Sequence, residues 1–224
     1  MNFLSKAFVD HATQINPKHT FYKESVLGSD WYYFDDFLSH PEDCREFLEY
    51  FPAFINSEFN FDLAPGSRQH ITRGWLYNIN NFLNDFFREE TFFTWGTNIY
   101  SGSMPARFRN NLPHVDYTDA VANIWLNQNC QGGTGFYAYK KLYTHWKRTP
   151  AAIQTEIESV VKNSSDKETE WETIIENDKW CMYYLSEMKY NRLVIYDGNL
   201  FHSAFLERDW YVDEPRYSLI GVRS

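Results

Sequence analysis

The chain has 224 residues, 43% of them hydrophobic and 23% charged, a composition that suits a folded globular protein and excludes a disordered one. Lysine and arginine total 21 against 30 acidic residues, a formal net charge of −9, which argues against a protein that coats nucleic acid. Three cysteines, Cys44, Cys130 and Cys181, stand without a CxxC spacing, which argues against a disulfide scaffold or a zinc ribbon and suits a reducing cytoplasm.

No apolar run approaches the roughly 18 residues that a membrane span needs. The expectation is one cytoplasmic domain, residues 1–224, without a membrane anchor. Aromatic residues make up 19% of the chain, which favours strands and a bulky interior.

In chain order, residues 1–28 carry little pattern and read as an N-terminal arm or edge strand. Trp31 to Phe34 predict a short strand. Ser39-His40-Pro41-Glu42 predicts a helix start, with Ser39 as N-cap and Glu42 closing a capping box. Ile79, Phe82, Leu83, Phe86 and Phe87 fall on one helical face and predict core packing. The period then changes, and residues 92–100 and 120–126 predict strands. Gly132-Gly133 predicts a turn, followed by a strand from Gly135 to Tyr139. Thr149-Pro150 opens a helix bearing Ile153, Ile157, Val160 and Val161, and Trp171, Ile174 and Ile175 predict a second, so residues 145–180 read as a helical insertion. Leu193 to Tyr196 predicts a strand, Asp197-Gly198 a hairpin turn, and residues 217–223 a last strand. Strands on both sides of a helical insertion, with helices massed at the N-terminus, predict an α+β jelly roll with packed helices.

The segment richest in chemistry is Pro113-His114-Val115-Asp116. In an extended chain, side chains two apart share a face, so His114 and Asp116 can reach one point. An imidazole and a carboxylate are two thirds of the 2-His-1-carboxylate set that holds non-haem iron with open positions. The downstream histidines are His145, in the insertion, and His202, after a buried-looking strand. A rigid sheet makes the better ligand support, which favours His202.

Arg216 and Ser218 share one face of the last strand. A guanidinium facing the core calls for an anion, and it grips a carboxylate as a two-pronged fork. The competing expectation is a surface ion pair with Glu207, Asp209, Asp213 or Glu214. Asn123, Trp125 and Asn127 alternate with Ala122, Ile124 and Leu126, so one side of that strand is polar and Asn123 is a candidate cosubstrate contact. Tyr137, Tyr139, Tyr143 and Trp146 are candidates for a substrate pocket or for core. Arg107, Arg109, Lys140, Lys141, Lys147 and Arg148 are candidates for a groove or for scattered solvated charge.

The order HxD, distant His, RxS resembles the Fe(II)- and 2-oxoglutarate-dependent oxygenases, of the prolyl-hydroxylase-like branch. Gly132-Gly133-Thr134-Gly135-Phe136 is similar to a segment that follows the metal motif in that branch. Trp31 to Leu38 is similar to its entry strand and helix, and Asn98-Ile99-Tyr100 resembles an NxY of the AlkB-like branch.

The resemblance implies a double-stranded β-helix fold and an Fe(II)- and 2-oxoglutarate-dependent dioxygenase. His114, Asp116 and His202 would bind Fe(II). Arg216, assisted by Ser218, would hold the far carboxylate of 2-oxoglutarate, with Tyr100 and Asn98 also touching it. The partners would be 2-oxoglutarate, O2 and an unidentified primary substrate, which is hydroxylated as succinate and carbon dioxide are released. The rival expectations are a non-catalytic jelly-roll binding or structural protein and a cupin-type enzyme using another metal.

Overall fold

The computed structural model describes residues 5–49, 67–71, 73–101, 112–141, 155–157, 159, 173–207 and 209–223. Two antiparallel sheets face each other, with helices on the outside of the larger, and the whole is a jelly roll.

The chain enters through α1 (Lys6–Ala12), capped where the Ser5 side chain accepts from the Phe8 N–H. The hairpin β1 (Thr20–Val26) and β2 (Ser29–Asp35) follows. Its two-residue loop holds Leu27 at φ 52° and Gly28 at φ 87°, the double positive φ that matches the twist of a hairpin. The expected arm therefore contains a helix and an edge strand.

Helix α2 (Pro41–Glu49) starts two residues after Ser39. Proline fits the first helical position because its missing N–H has no partner there in any case. Glu42 then falls one position early for a capping box, and its carboxylate instead accepts from the Tyr190 hydroxyl.

After β3 (Ser67–Ile71), helix α3 (Tyr77–Phe87) carries the expected apolar face, with Ile79 and Leu83 buried, and ends on Arg88 in the left-handed conformation. The remaining strands are β4 (Phe93–Tyr100), β5 (Val121–Trp125), β6 (Gly133–Tyr139), β7 (Trp180–Glu187), β8 (Arg192–Tyr196), β9 (His202–Phe205) and β10 (Arg216–Arg223).

The large sheet runs β1-β2-β8-β5-β10-β4-β3 and the small sheet β7-β6-β9. Alternation along each strand sorts side chains to the two faces. Leu193, Ile195, Ala122, Ile124 and Leu219 point outward into a core closed by α1, α2 and α3. Val194, Tyr196, Val121 and Trp125 point inward to meet Phe136 from the small sheet. The central strands are thus buried on both faces, which explains why Leu193–Tyr196 reads as an unbroken apolar run.

Two expected elements differ. Ile174 and Ile175 are not helical: the Ile175 carbonyl accepts from the Met182 N–H, and Glu176 bridges to Cys181. Backbone pairing with β7 wins over a helical period only a few residues long. Within the expected insertion, residues 155–157 are helical and Trp180 already opens β7, while Thr149-Pro150, Ile153, Val160, Val161 and Trp171 lie outside the described residues. The Asp197-Gly198 turn exists but makes no hairpin, because β8 belongs to the large sheet and β9 to the small one.

Candidate metal centre

The turn between β8 and β9 is built by side chains. Asp197 accepts from the Asn199 N–H at 2.8 Å, and Asn199 donates to the Thr118 carbonyl at 2.7 Å. Gly198 packs so closely that an added Cβ would lie 2.3 Å from Thr118 Cγ2. Its carbonyl accepts the Asp116 N–H at 2.8 Å, which docks the HxD segment on this turn.

His114 and His202 then pair directly through their backbones. Each N–H donates to the other's carbonyl at 2.9 Å, so the HxD segment extends the small sheet beyond β9. This reciprocal pair brings together positions that lie far apart in the sequence.

The side chains follow. His114 Nδ1 lies 3.0 Å from the Leu112 carbonyl and His202 Nδ1 lies 2.9 Å from the Leu200 carbonyl. A carbonyl only accepts, so each Nδ1 carries the proton and each Nε2 of the neutral ring presents a lone pair. Both lone pairs face Asp116: His114 Nε2 is 3.7 Å from Oδ1 and His202 Nε2 is 3.2 Å from Oδ2. All three donor atoms lie within 4.8 Å of one another. With both rings neutral, three acceptors converging in this way repel, and either a metal cation among them or a proton on one imidazole relieves it. Two imidazoles and one carboxylate, oriented by second hydrogen bonds, suit a divalent transition metal. The residues therefore fit the iron that the sequence resemblance implies.

The triad lies at one side of a cavity of about 60 Å³ between the sheets, room for several waters or a small elongated molecule. Asn98, Asn123, Trp125, Thr134, Tyr196, Arg216 and Ser218 also line it.

Arg216 is 3% exposed, so it is no surface ion-pair former. Glu214 pairs with Arg45 instead. The Arg216 guanidinium donates to Asn98 Oδ1 at 3.4 Å and lies 4.0 Å from Met188 Sδ. Ser218 faces the same cavity and donates to the Asn98 carbonyl at 3.4 Å. In register, Asn98 stands opposite Ser218 and Tyr100 opposite Arg216. Tyr100 is fully buried beside the cavity without lining it. Asn123 donates to the Tyr196 hydroxyl at 3.2 Å, and its Oδ1 is buried with no hydrogen-bond partner among the described residues.

Sequence reasoning missed Thr134 and Tyr196. Thr134 was legible from alternation, since it shares a strand face with Phe136, whereas Tyr196 sits in an apolar run buried on both faces. Tyr137 and Tyr139 belong to a separate cluster with Trp180 and Phe201 and do not line the cavity. Desolvation in that cluster pushes the Tyr137 hydroxyl up to about 12. Lys140 forms a surface pair with Glu176 at 2.6 Å, and Lys141 is exposed. Arg107, Arg109, Tyr143, His145, Trp146, Lys147 and Arg148 lie outside the described residues.

The model of a family of unknown function, DUF6445, matches residues 17–216, which include the whole triad and Arg216. The chain belongs to that family. No curated protein matches its sequence. Solved structures similar to this DUF6445 member include AviO1 from Streptomyces viridochromogenes Tue57, at 10% identity and a TM-score of 0.46, over 100% of this chain and 96% of that one. Another is an oxidoreductase of the 2OG-Fe(II) oxygenase family from Burkholderia pseudomallei, at 12% identity and a TM-score of 0.35, over 97% and 77% of the two chains. The Fe(II)/(alpha)ketoglutarate-dependent dioxygenase TqaL is similar at 10% identity and a TM-score of 0.38, over 99% and 76%. Likeness at this level leaves the functional reading of the DUF6445 chain to its own side chains. No helix among the described residues is long and apolar enough to cross a membrane.

Proposed function

We propose that this chain is an Fe(II)- and 2-oxoglutarate-dependent dioxygenase that hydroxylates an unidentified substrate. The observation that supports it is the pairing of two features on opposite walls of one cavity. The small-sheet side presents two imidazole lone pairs and a carboxylate. The large-sheet side presents a buried guanidinium with a hydroxyl beside it. A cupin using another metal needs the first feature and has no use for the second.

In this reading His114, Asp116 and His202 would hold Fe(II). Bound iron with 2-oxoglutarate and O2 supplies the oxidising chemistry, with succinate and carbon dioxide as coproducts. The protein's own part is to bind, orient and exclude water. The Leu112 and Leu200 carbonyls fix the tautomer of both ligand rings. Arg216 forks the far carboxylate of the cosubstrate and Ser218 adds a hydrogen bond. Asn98 holds the guanidinium in place, Tyr100 backs it from the neighbouring strand, and Asn123 offers its amide to the cosubstrate. The chain acts as one unit over its length, in a reducing cytoplasm that suits its free Cys44, Cys130 and Cys181.

The test needs no primary substrate. Metal-free protein is mixed with Fe(II) and 2-oxoglutarate without O2, and the visible charge-transfer band of chelated 2-oxoglutarate is sought. A band in the native chain that His114→Ala and Arg216→Ala both lose is the expected result. Iron binding without a band, in folded protein, overturns the proposal in favour of a cupin-type enzyme.

A further inference from the structure

The described residues contain one more group able to hold a metal, and it shares no residue with the cavity. His11 at the end of α1, and His40 and Asp43 at the start of α2, bring their donor atoms within 4.8 Å of one another. The two imidazole rings stack at 3.7 Å with 24° between their planes. His11 Nε2 lies 3.2 Å from Asp43 Oδ2. Metal–ligand arms of roughly 2.0–2.1 Å on a tetrahedral zinc place neighbouring ligands about 3.3 Å apart, so this pair already spans one tetrahedral edge.

The supports are rigid. Val9 and Ala12 of α1, and Cys44, Phe47 and Leu48 of α2, are all fully buried in one core. The backbones that carry the three donors are thus fixed against each other, and only side-chain rotation separates them from a shared ion. His40 and Asp43 stand three apart, the spacing at which helical neighbours share a face.

We propose that this cluster is a second metal site, selective for a zinc-class divalent ion, that clips α1 to α2. Two imidazoles and one carboxylate favour zinc, copper(II) or nickel over the oxygen-seeking calcium and magnesium. Water completes the fourth position because the site opens to solvent. The clip is structural: it ties the N-terminal helix to the body of the protein and needs nothing from the cavity.

The probe is zinc alone, added to chelator-stripped protein, with stoichiometry and apparent affinity read by competition against a chromogenic chelator. The native chain is expected to bind two ions and His11→Gln one, with its remaining ion lost only on His114→Ala. Conversely, His114→Ala alone is expected to keep one ion whose affinity drops at least tenfold when His11→Gln is added. Protease cleavage between residues 5 and 19 is expected to slow when the ion binds to the His114→Ala chain. A His114→Ala chain that binds no zinc, or whose zinc is indifferent to His11→Gln and His40→Gln, overturns the clip. Loss of the cavity's ion alone leaves the clip standing and counts against the oxygenase reading.

Discussion

At the scale of the residue, the candidate site turns on which nitrogen of each histidine carries its proton. Leu112 and Leu200 settle that with two carbonyls, each two residues before its ring, so the same Leu-x-His geometry orients both imidazoles. His114→Ala and Asp116→Ala are each expected to lower Fe(II) affinity by 100-fold or more with the circular dichroism unchanged. Iron binding by equilibrium dialysis checks this. Arg216→Ala is expected to raise the 2-oxoglutarate concentration needed for half-saturation steeply. Removing one partner of a buried charged pair costs about 2–5 kcal/mol, which is about 30-fold or more. The charge-transfer band titrated with 2-oxoglutarate reads it, and an unchanged midpoint places the clamp elsewhere. Residue-level signals were the most legible part of the sequence, because His114 with Asp116 and Arg216 with Ser218 each declare a shared face by spacing alone. Tyr196 stayed hidden inside an apolar run, since alternation is invisible where both faces of a strand are buried.

At the scale of the element, strand and turn positions decide whether those side chains meet. The Gly198 connection is one such position. A Cβ there would press on Thr118, and the strain would pass directly to Asp116 through the Gly198 carbonyl. Gly198→Ala is expected to destabilise the fold by about 1–3 kcal/mol, as overpacking does, and to weaken metal binding with it. Denaturant melts with and without metal separate the two effects. A second position is Asp35 at the end of β2, which accepts from Arg192 of β8 and from Lys189. Burial pushes its carboxyl up, but the Arg192 and Lys189 cations outweigh that and hold it below its ordinary value. A depressed folded pKa adds stability above the unfolded value and loses it as pH falls through the folded one. Asp35→Asn is therefore expected to cost about 1–3 kcal/mol near neutrality and to converge with the native chain in strong acid. Urea midpoints across that range check the sign. Elements were less legible than residues: β7 and β9 left no sequence signal of their own, and the apparent helix at Ile174 and Ile175 gave way to pairing that depends on distant strands.

At the scale of the whole molecule, the sandwich sorts its aromatic excess into separate cores, one under the helices, one between the sheets and a third around Tyr137, Tyr139, Trp180 and Phe201. The jelly roll was legible from strands flanking helices, yet its strand order was not, because the crossing of Asp197-Gly198 from one sheet to the other reads locally as a hairpin. Metal binding is expected to raise the melting temperature, since an ion at 100 times its Kd adds about 2.7 kcal/mol to the folded state. Scanning calorimetry with and without metal measures it, and the gain should vanish in His202→Ala combined with His11→Gln. The two walls of the cavity also differ in origin: His202 stands on one sheet, Arg216 on the other. A small dicarboxylate seated between them would act as a tie-beam, resisting the slow breathing by which a sandwich parts. Amide hydrogens in β9 and in β10 should then exchange more slowly in step, as though one bolt had been tightened through both plates.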